Sequence, residues 1–249
     1  MTGRVLLGLA VLAAWGSLGR VLRVRGVPHP RGLTALVDLA FLTQPAVAGV
    51  ATLAVVVAVA LFVFDRHARA AATFIVIAFS LGGHVQASQW PGLNGVNGAI
   101  ALPGAALAAW VVAQHVAGTP EERARRGHEA ACGIVAAFYP LLALSKVLGS
   151  GLAWAGGGNI GRHVAVHAVG GLAVLEPLRL GLAASPALCT ALGVGTLVIE
   201  GGAIAFLWPA ARPAVAVAVA AMHVGIGLFM GLHHYECLLV VAGLAVSRR

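Results

Sequence analysis

The side chains in this sequence that could do chemistry are one lysine, one mid-run glutamate and a scatter of histidines, all set in apolar surroundings. The chain holds sixteen Lys plus Arg, and Lys146 is its single lysine. It stands two-thirds of the way along the run AACGIVAAFYPLLALSKVLGSGLAW, residues 130–154. A cation at mid-membrane costs at least about 2.5–3.5 kcal/mol on insertion scales. Such a group must snorkel to the interface, find a partner or lose its proton. Arg can hardly deprotonate, whereas Lys can. A lone Lys in a chain whose other cations are Arg therefore suits a site needing a neutral amine as base or nucleophile. Outward snorkelling from near the helix end is the plain alternative. Tyr139 and Cys132 lie one and two heptads earlier and share roughly one helical face with Lys146. Tyr139 reads either as its hydroxyl partner or as a core tyrosine with a satisfied hydroxyl.

Glu200, in LGVGTLVIEGGAIAFLW, is the other ionisable group inside a long apolar run. It reads as the counter-charge of Lys146, as a proton carrier, or as a protonated carboxyl bonded to a neighbouring helix. The Gly-Gly that follows it permits close helix approach. Among the histidines, His163 and His167 are spaced i, i+4 and share a helical face. His233 and His234 are adjacent with Glu236 nearby, and His223 lies in the middle of its run. Histidine pairs with a carboxylate suit iron or zinc, which makes His163, His167, His233 and His234 the candidates for a metal site. One HxxxH and one HH are too few for the His boxes of membrane di-iron enzymes, and bis-His haem needs a second mid-span histidine. The expectation is no metal. Cys132, Cys189 and Cys237 form no C-x-x-C and read as core fillers.

These residues sit in a chain of 249 residues that is 60% hydrophobic and 10% charged. Soluble domains are about a quarter charged, so the composition points to a membrane protein. Runs near twenty residues cross a hydrocarbon core of about 30 Å, and in lipid the backbone must satisfy itself. The expected fold is therefore all-α, a polytopic transmembrane helical bundle of about 7–8 spanning helices, forming one domain over 1–249. Spans are expected at 5–21, 44–64, 70–84, 97–117, 129–150, 188–208, 213–232 and 235–247. The segment 163–183 is broken by Glu176, Pro177 and Arg179 and reads as a helix–break–helix, re-entrant or at the surface. The first apolar stretch is expected to be retained rather than cleaved.

The formal net charge of +8 does not indicate nucleic acid. The arginines fall in small groups at helix ends, as charge placed for membrane orientation does. With RHAR, ERARR, Arg212 and the terminal RR on the cytoplasmic side, the loops at 83–98, 149–163 and 233–236 fall outside. RVLRVRGVPHPR at 20–31 disagrees with that rule. His84, Asn94, Asn97, Lys146, His163, His167, His233 and His234 then approach one extracytoplasmic face, where polar groups in a bundle mark a wet cavity or a site. WPGLNGVNG at 90–98 reads as a turn. Gly227-x-x-x-Gly231 reads as a helix-pairing signal.

The stretch FYPLLALSKVLGSGLAWAGGGNIGRH resembles the HTTM (horizontally transferred transmembrane) domain, the membrane part of vitamin K-dependent gamma-carboxylases. In that family a helix ends in a pattern like G-x-x-K-L, followed by Gly/Ser, Trp and Gly. The later stretch TLVIEGGAIAFLWPAARPAVAVAVAAMHVGIGLFMGLHHYECLLVVAGLA is similar too: a Glu-bearing helix, an Arg turn, a helix with His, a polar break and a final apolar run. The resemblance covers roughly 70–247. Here Val147 stands where Leu is usual, and the family's large extramembrane domain has no counterpart.

That resemblance implies an enzyme whose lysine, here Lys146, deprotonates a reduced quinone of the menaquinone or vitamin K type. The quinone then reacts with oxygen to give a strong alkoxide base, a carbon-bound proton is removed, and carbon dioxide adds. It also implies catalytic roles for His84 and His223 and a place for the family's glutamate at Glu200; Tyr139, Trp154, Asn94 and Asn97 are expected beside them as binding or structural support. The implied partners are membrane lipids and a peptide or small-molecule substrate, in the inner membrane of a bacterial cell. The competing reading is a non-enzymatic component, such as a carrier, an immunity-like factor or a partner subunit. In that case Lys146 and Glu200 form a structural pair fixing helix register. A His-ligated metal enzyme is the third.

Overall fold

The computed structural model describes residues 2–23, 32–89, 94–116, 118–168 and 173–247. Among these there is no strand, and there are ten α-helices. They are α1 (Thr2–Arg23), α2 (Pro45–Val63), α3 (Ala68–Gln89), α4 (Asn94–Gln114) and α5 (Pro120–Ser150). After these come α6 (Gly157–Ala168), α7 (Glu176–Ala183), α8 (Pro186–Gly202), α9 (Arg212–Met230) and α10 (Tyr235–Val246). Pro45, Pro120 and Pro186 each open a helix, where the missing N–H costs nothing.

Six helices are long and apolar enough to cross a membrane, and Leu102–Gln114 and Tyr235–Val246 are shorter apolar helices. The chain is a multi-pass, all-α integral membrane protein. The eight expected spans fall on α1–α5 and α8–α10. The segment 163–183 carries α6 and α7, and Glu176 and Pro177 begin α7 rather than interrupting it. Asn94 begins α4, so the turn expected at 90–98 gives way to helix from that residue.

The chain forms two compact units, Met1–Ile134 with Tyr235–Arg249, and Val135–His234. In the first, α1 packs against α10, α2, α3 and α4. Trp15 Nε1 donates to Thr52 Oγ1 at 3.1 Å, and Phe62 meets Trp110 edge to face. Arg4 pairs with Asp65 in the left-handed turn after α2. The start of α5 carries a reciprocal cap: Glu122 N–H donates to Thr119 Oγ1 at 3.2 Å, and Thr119 N–H donates to Glu122 Oε2 at 3.0 Å. Gln86 is buried in α3 with no partner for its amide among the described residues.

In the second unit, α6 packs closely against α7, α8 and α9, and α8 against α9. Ile160, Val164 and Cys189 form its core, with Trp154, Leu182, Phe229 and Met230 packed on it. The turn Gly151–Ala155 comes so near α8 that a Cβ on Gly193 would lie 2.6 Å from the Ala155 carbonyl oxygen. The C-terminal half of α5 meets α8 and α9 through long polar side chains. Leu188, Leu192 and Val198 on α8, and Val217 and Val224 on α9, point outward, as lipid-facing residues do.

Candidate proton-handling site

Every close contact of the site falls inside the second unit. Lys146 lies one turn from the end of α5 and Glu200 in the last turn of α8. Their side chains meet as an ion pair, Lys146 Nζ donating to Glu200 Oε1. The glutamate side chain is 4% exposed and that of the lysine 23%. Lys146 thus neither snorkels free nor stands alone: its counter-charge is the residue the sequence offered for it. The second oxygen, Glu200 Oε2, is buried and has no hydrogen-bond partner among the described residues.

Trp154 closes another side of the ammonium, with Nζ 4.5 Å from the ring centroid. This is within the range of a cation–π contact. The local chain explains the ring's position. After Ser150 the backbone leaves α5 for the tight turn Gly151–Ala155, and Asn159 Nδ2 donates to the Trp154 carbonyl at 2.9 Å. The indole also rests on the core of the unit. Ammonium, aromatic face and carboxylate therefore come from α5, the turn that follows it and α8, and the Gly193 contact holds that turn against α8.

Deeper along the same face of α5 lies Tyr139, fully buried, whose hydroxyl is 2.9 Å from His223 Nε2 on α9. Which atom donates depends on the imidazole tautomer. The His223 ring meets the His234 ring edge to face, with centroids 5.7 Å apart. Gly231, with φ of 65°, ends α9 in the left-handed conformation that a glycine adopts without strain, and its N–H donates to Gly227 O at 3.1 Å. This turn folds His233 and His234 back along the helix. The Gly227-x-x-x-Gly231 spacing is accordingly used inside one helix end: a Cβ on Gly227 would lie 3.1 Å from His233 Nδ1.

The structure thus brings Lys146, Glu200 and Trp154 into one cluster and Tyr139, His223 and His234 into another. His163 is exposed on α6, and His167 contributes its backbone carbonyl to Arg179. Among the described residues no three His, Cys, Asp or Glu side chains form a metal-ligand group. His84 is exposed on α3 of the first unit. The side chains of Asn94 and Asn97 lie outside the described residues.

Sequence reasoning took Arg179 for a helix breaker. It is 3% exposed, and its guanidinium caps two helix ends: Nε donates to Leu228 O at 2.7 Å in α9, and Nη1 to His167 O at 3.3 Å in α6. The signal was present, since Arg179 lies inside LEPLRLGLA rather than in a helix-end Arg group. Arg212, expected as an orienting surface charge, is 4% exposed and donates from Nε to Phe206 O at 3.0 Å.

Chemically, the first cluster holds one amine and one carboxyl group joined by a hydrogen bond in an apolar setting. Such pairs suit general acid–base work when a substrate proton comes within reach. No family model, no curated protein and no solved structure matches the chain, so the site's own geometry carries its reading.

Proposed function

We propose that this integral membrane protein is an enzyme of the HTTM type in which Lys146 accepts a proton from a reduced quinone. The observation that carries the reading is the pairing of Lys146 with a glutamate whose other oxygen is buried and unpartnered, beside an indole face. Those residues fit a ring-bearing molecule with an acidic hydroxyl. The indole offers an apolar wall, and Oε2 offers an acceptor that nothing else in the described residues uses. A reduced quinone would supply that hydroxyl and, once deprotonated, reactivity toward oxygen.

The chain's own part is proton transfer. In this reading Glu200 takes the proton of the Lys146 ammonium along the hydrogen bond that joins them. The amine so freed accepts the proton of the substrate hydroxyl, and Trp154 steadies the ammonium that forms. The arginines of RHAR and ERARR favour an orientation with the Lys146 end of α5 facing outward, and an inner membrane is the proposed location. The substrate class is a peptide or small molecule reached from that side.

The test is mass spectrometry of small molecules co-extracted with wild type and with Lys146→Ala. Near-stoichiometric menaquinone in wild type, lost in the variant, supports the reading and calls for an oxygen-consumption assay with the reduced quinone. Only bulk lipid in wild type overturns it. The second reading, a structural pair in a non-enzymatic component, is favoured by the way the same ion pair ties α5 to α8. That reading predicts full biological function in any variant that restores folding.

A further inference from the structure

Helices α6 and α7 form an antiparallel hairpin inside the second unit. At its base a Cβ on Gly157 would run into the Pro186 carbonyl oxygen, and one on Gly161 would lie 3.0 Å from the Ala183 carbonyl oxygen. Farther along, Arg179 Nη1 donates to the His167 carbonyl oxygen at 3.3 Å. The chain thus leaves Gly157, runs to a far end beyond His167 and returns beside itself to Pro186. With 12 residues α6 is about 18 Å long, too short to cross a core of about 30 Å.

The polarity of the hairpin inverts toward its far end. A helix on a wet surface turns charge outward and apolar residues inward. In α7 and the turn before it, Val174 is 82% exposed and Leu178 and Leu180 are exposed too, while Arg179 is buried. Glu176 is partly exposed in the first turn of α7, where the helix dipole favours a carboxylate. Val166, near the end of α6, also points outward. At the base the order is the ordinary one: Arg162 and His163 are exposed, and Ile160 and Val164 are buried. Beyond Pro186 the chain continues into α8, whose Leu188 and Leu192 are exposed in the same way.

We propose that the α6–α7 hairpin is seated in the boundary of the lipid bilayer, in the leaflet at the C-terminal end of α9. Val166, Val174, Leu178 and Leu180 lie against acyl chains, and Arg162 and His163 lie among the headgroups. An exposed apolar face gains free energy when acyl chains replace water over it. Lipid also accounts for the buried guanidinium. The last carbonyls of α6 have no donor in their own helix, and acyl chains offer none. Arg179 supplies that donor from within the hairpin, and its Nε donates to the Leu228 carbonyl oxygen of α9 as well. Against water those carbonyls would be hydrated, and burying a cation for them would be unfavourable. Trp154 packs on the Ile160 and Val164 core at the base, so the element seated in lipid also steadies the indole beside Lys146. The seating stands whether or not Lys146 acts as a base.

The test uses the full chain in lipid nanodiscs, with one nitroxide label per variant at Val174→Cys, Leu178→Cys, Val198→Cys or His163→Cys. The native cysteines are buried, so the label goes to the introduced thiol. All four positions are exposed, so the label displaces no packed side chain. Electron paramagnetic resonance reads collisions with oxygen, which concentrates in acyl chains, and with a water-soluble nickel chelate. The oxygen-to-nickel collision ratio at Val174 and Leu178 is expected several-fold above that at His163. It should approach the ratio at Val198, an outward-facing position on α8. Ratios at Val174 and Leu178 equal to that at His163 put the α7 face in water and overturn the seating. Low collision rates with both reagents at Val174 and Leu178 mean that a second copy or another protein covers the face, and they overturn it too.

Discussion

Lys146 and Glu200, 54 residues apart in the chain, meet as an ion pair that joins α5 to α8. Only one oxygen of the carboxylate takes part, and the glutamate is the more deeply buried partner. Removing the lysine therefore strands a buried carboxyl, whereas removing both charges leaves only an uncharged amide, which costs less to bury. Lys146→Met is expected to lower stability by about 1–3 kcal/mol, below the full cost of breaking a buried pair because the lysine keeps some exposure. Adding Glu200→Gln should restore at least half of the loss. A thermal-unfolding double-mutant cycle in detergent measures this, and additive effects would mean the pair is not formed in the membrane.

Lys146→Arg tests the difference between charge and proton transfer. Arginine retains a cation for Glu200 and a plane for Trp154, but it does not deprotonate. On the proposed reading of Lys146 as the base, the expected outcome is near-wild-type thermal stability with loss of quinol-dependent oxygen uptake. Retained uptake would remove the lysine from the chemistry.

Arg179 holds the last turns of α6 and α9 by their carbonyl oxygens. Carbonyls in a final turn have no intrahelical donor, and a cation there also meets the negative end of the helix dipole. Arg179→Met should cost about 2–4 kcal/mol, the range for breaking a buried charged hydrogen-bond network. Arg179→Lys should recover only part, because one ammonium does not reproduce two directed donors. Unfolding midpoints and proteolytic nicking near α7 report the outcome. An unchanged midpoint in Arg179→Met would show that the cap carries no weight.

Two glycines give a matched pair. A Cβ on Gly193 would stand 2.6 Å from the Ala155 carbonyl oxygen, a backbone atom that cannot swing aside. Gly193→Ala should therefore destabilise by about 1–3 kcal/mol, as overpacking does, and shift the Trp154 indole signal. Gly158 in α6 has nothing within 4 Å of its would-be Cβ. Gly158→Ala should be neutral or stabilising by up to about 1 kcal/mol through helix propensity. Equal effects at the two sites would contradict the close approach of the turn to α8.

The all-helical membrane class and the eight apolar segments were readable because they rest on local causes. Twenty apolar residues cross a bilayer only as a helix, and Pro45, Pro120 and Pro186 mark where helices begin. The singular Lys146 and the mid-run Glu200 stood out for the same reason, since a charge inside an apolar run is costly wherever it occurs. What covers such a charge is not local. That Glu200 and Trp154 together hold Lys146, that Tyr139 bonds His223 rather than the lysine on its own helix face, and that Arg179 is a buried cap followed only from the tertiary structure. Helical periodicity places a residue on a face but says nothing of which helix packs there. Those pairings were decided by the turn at Gly151–Ala155, the near contact at Gly193 and the left-handed Gly231.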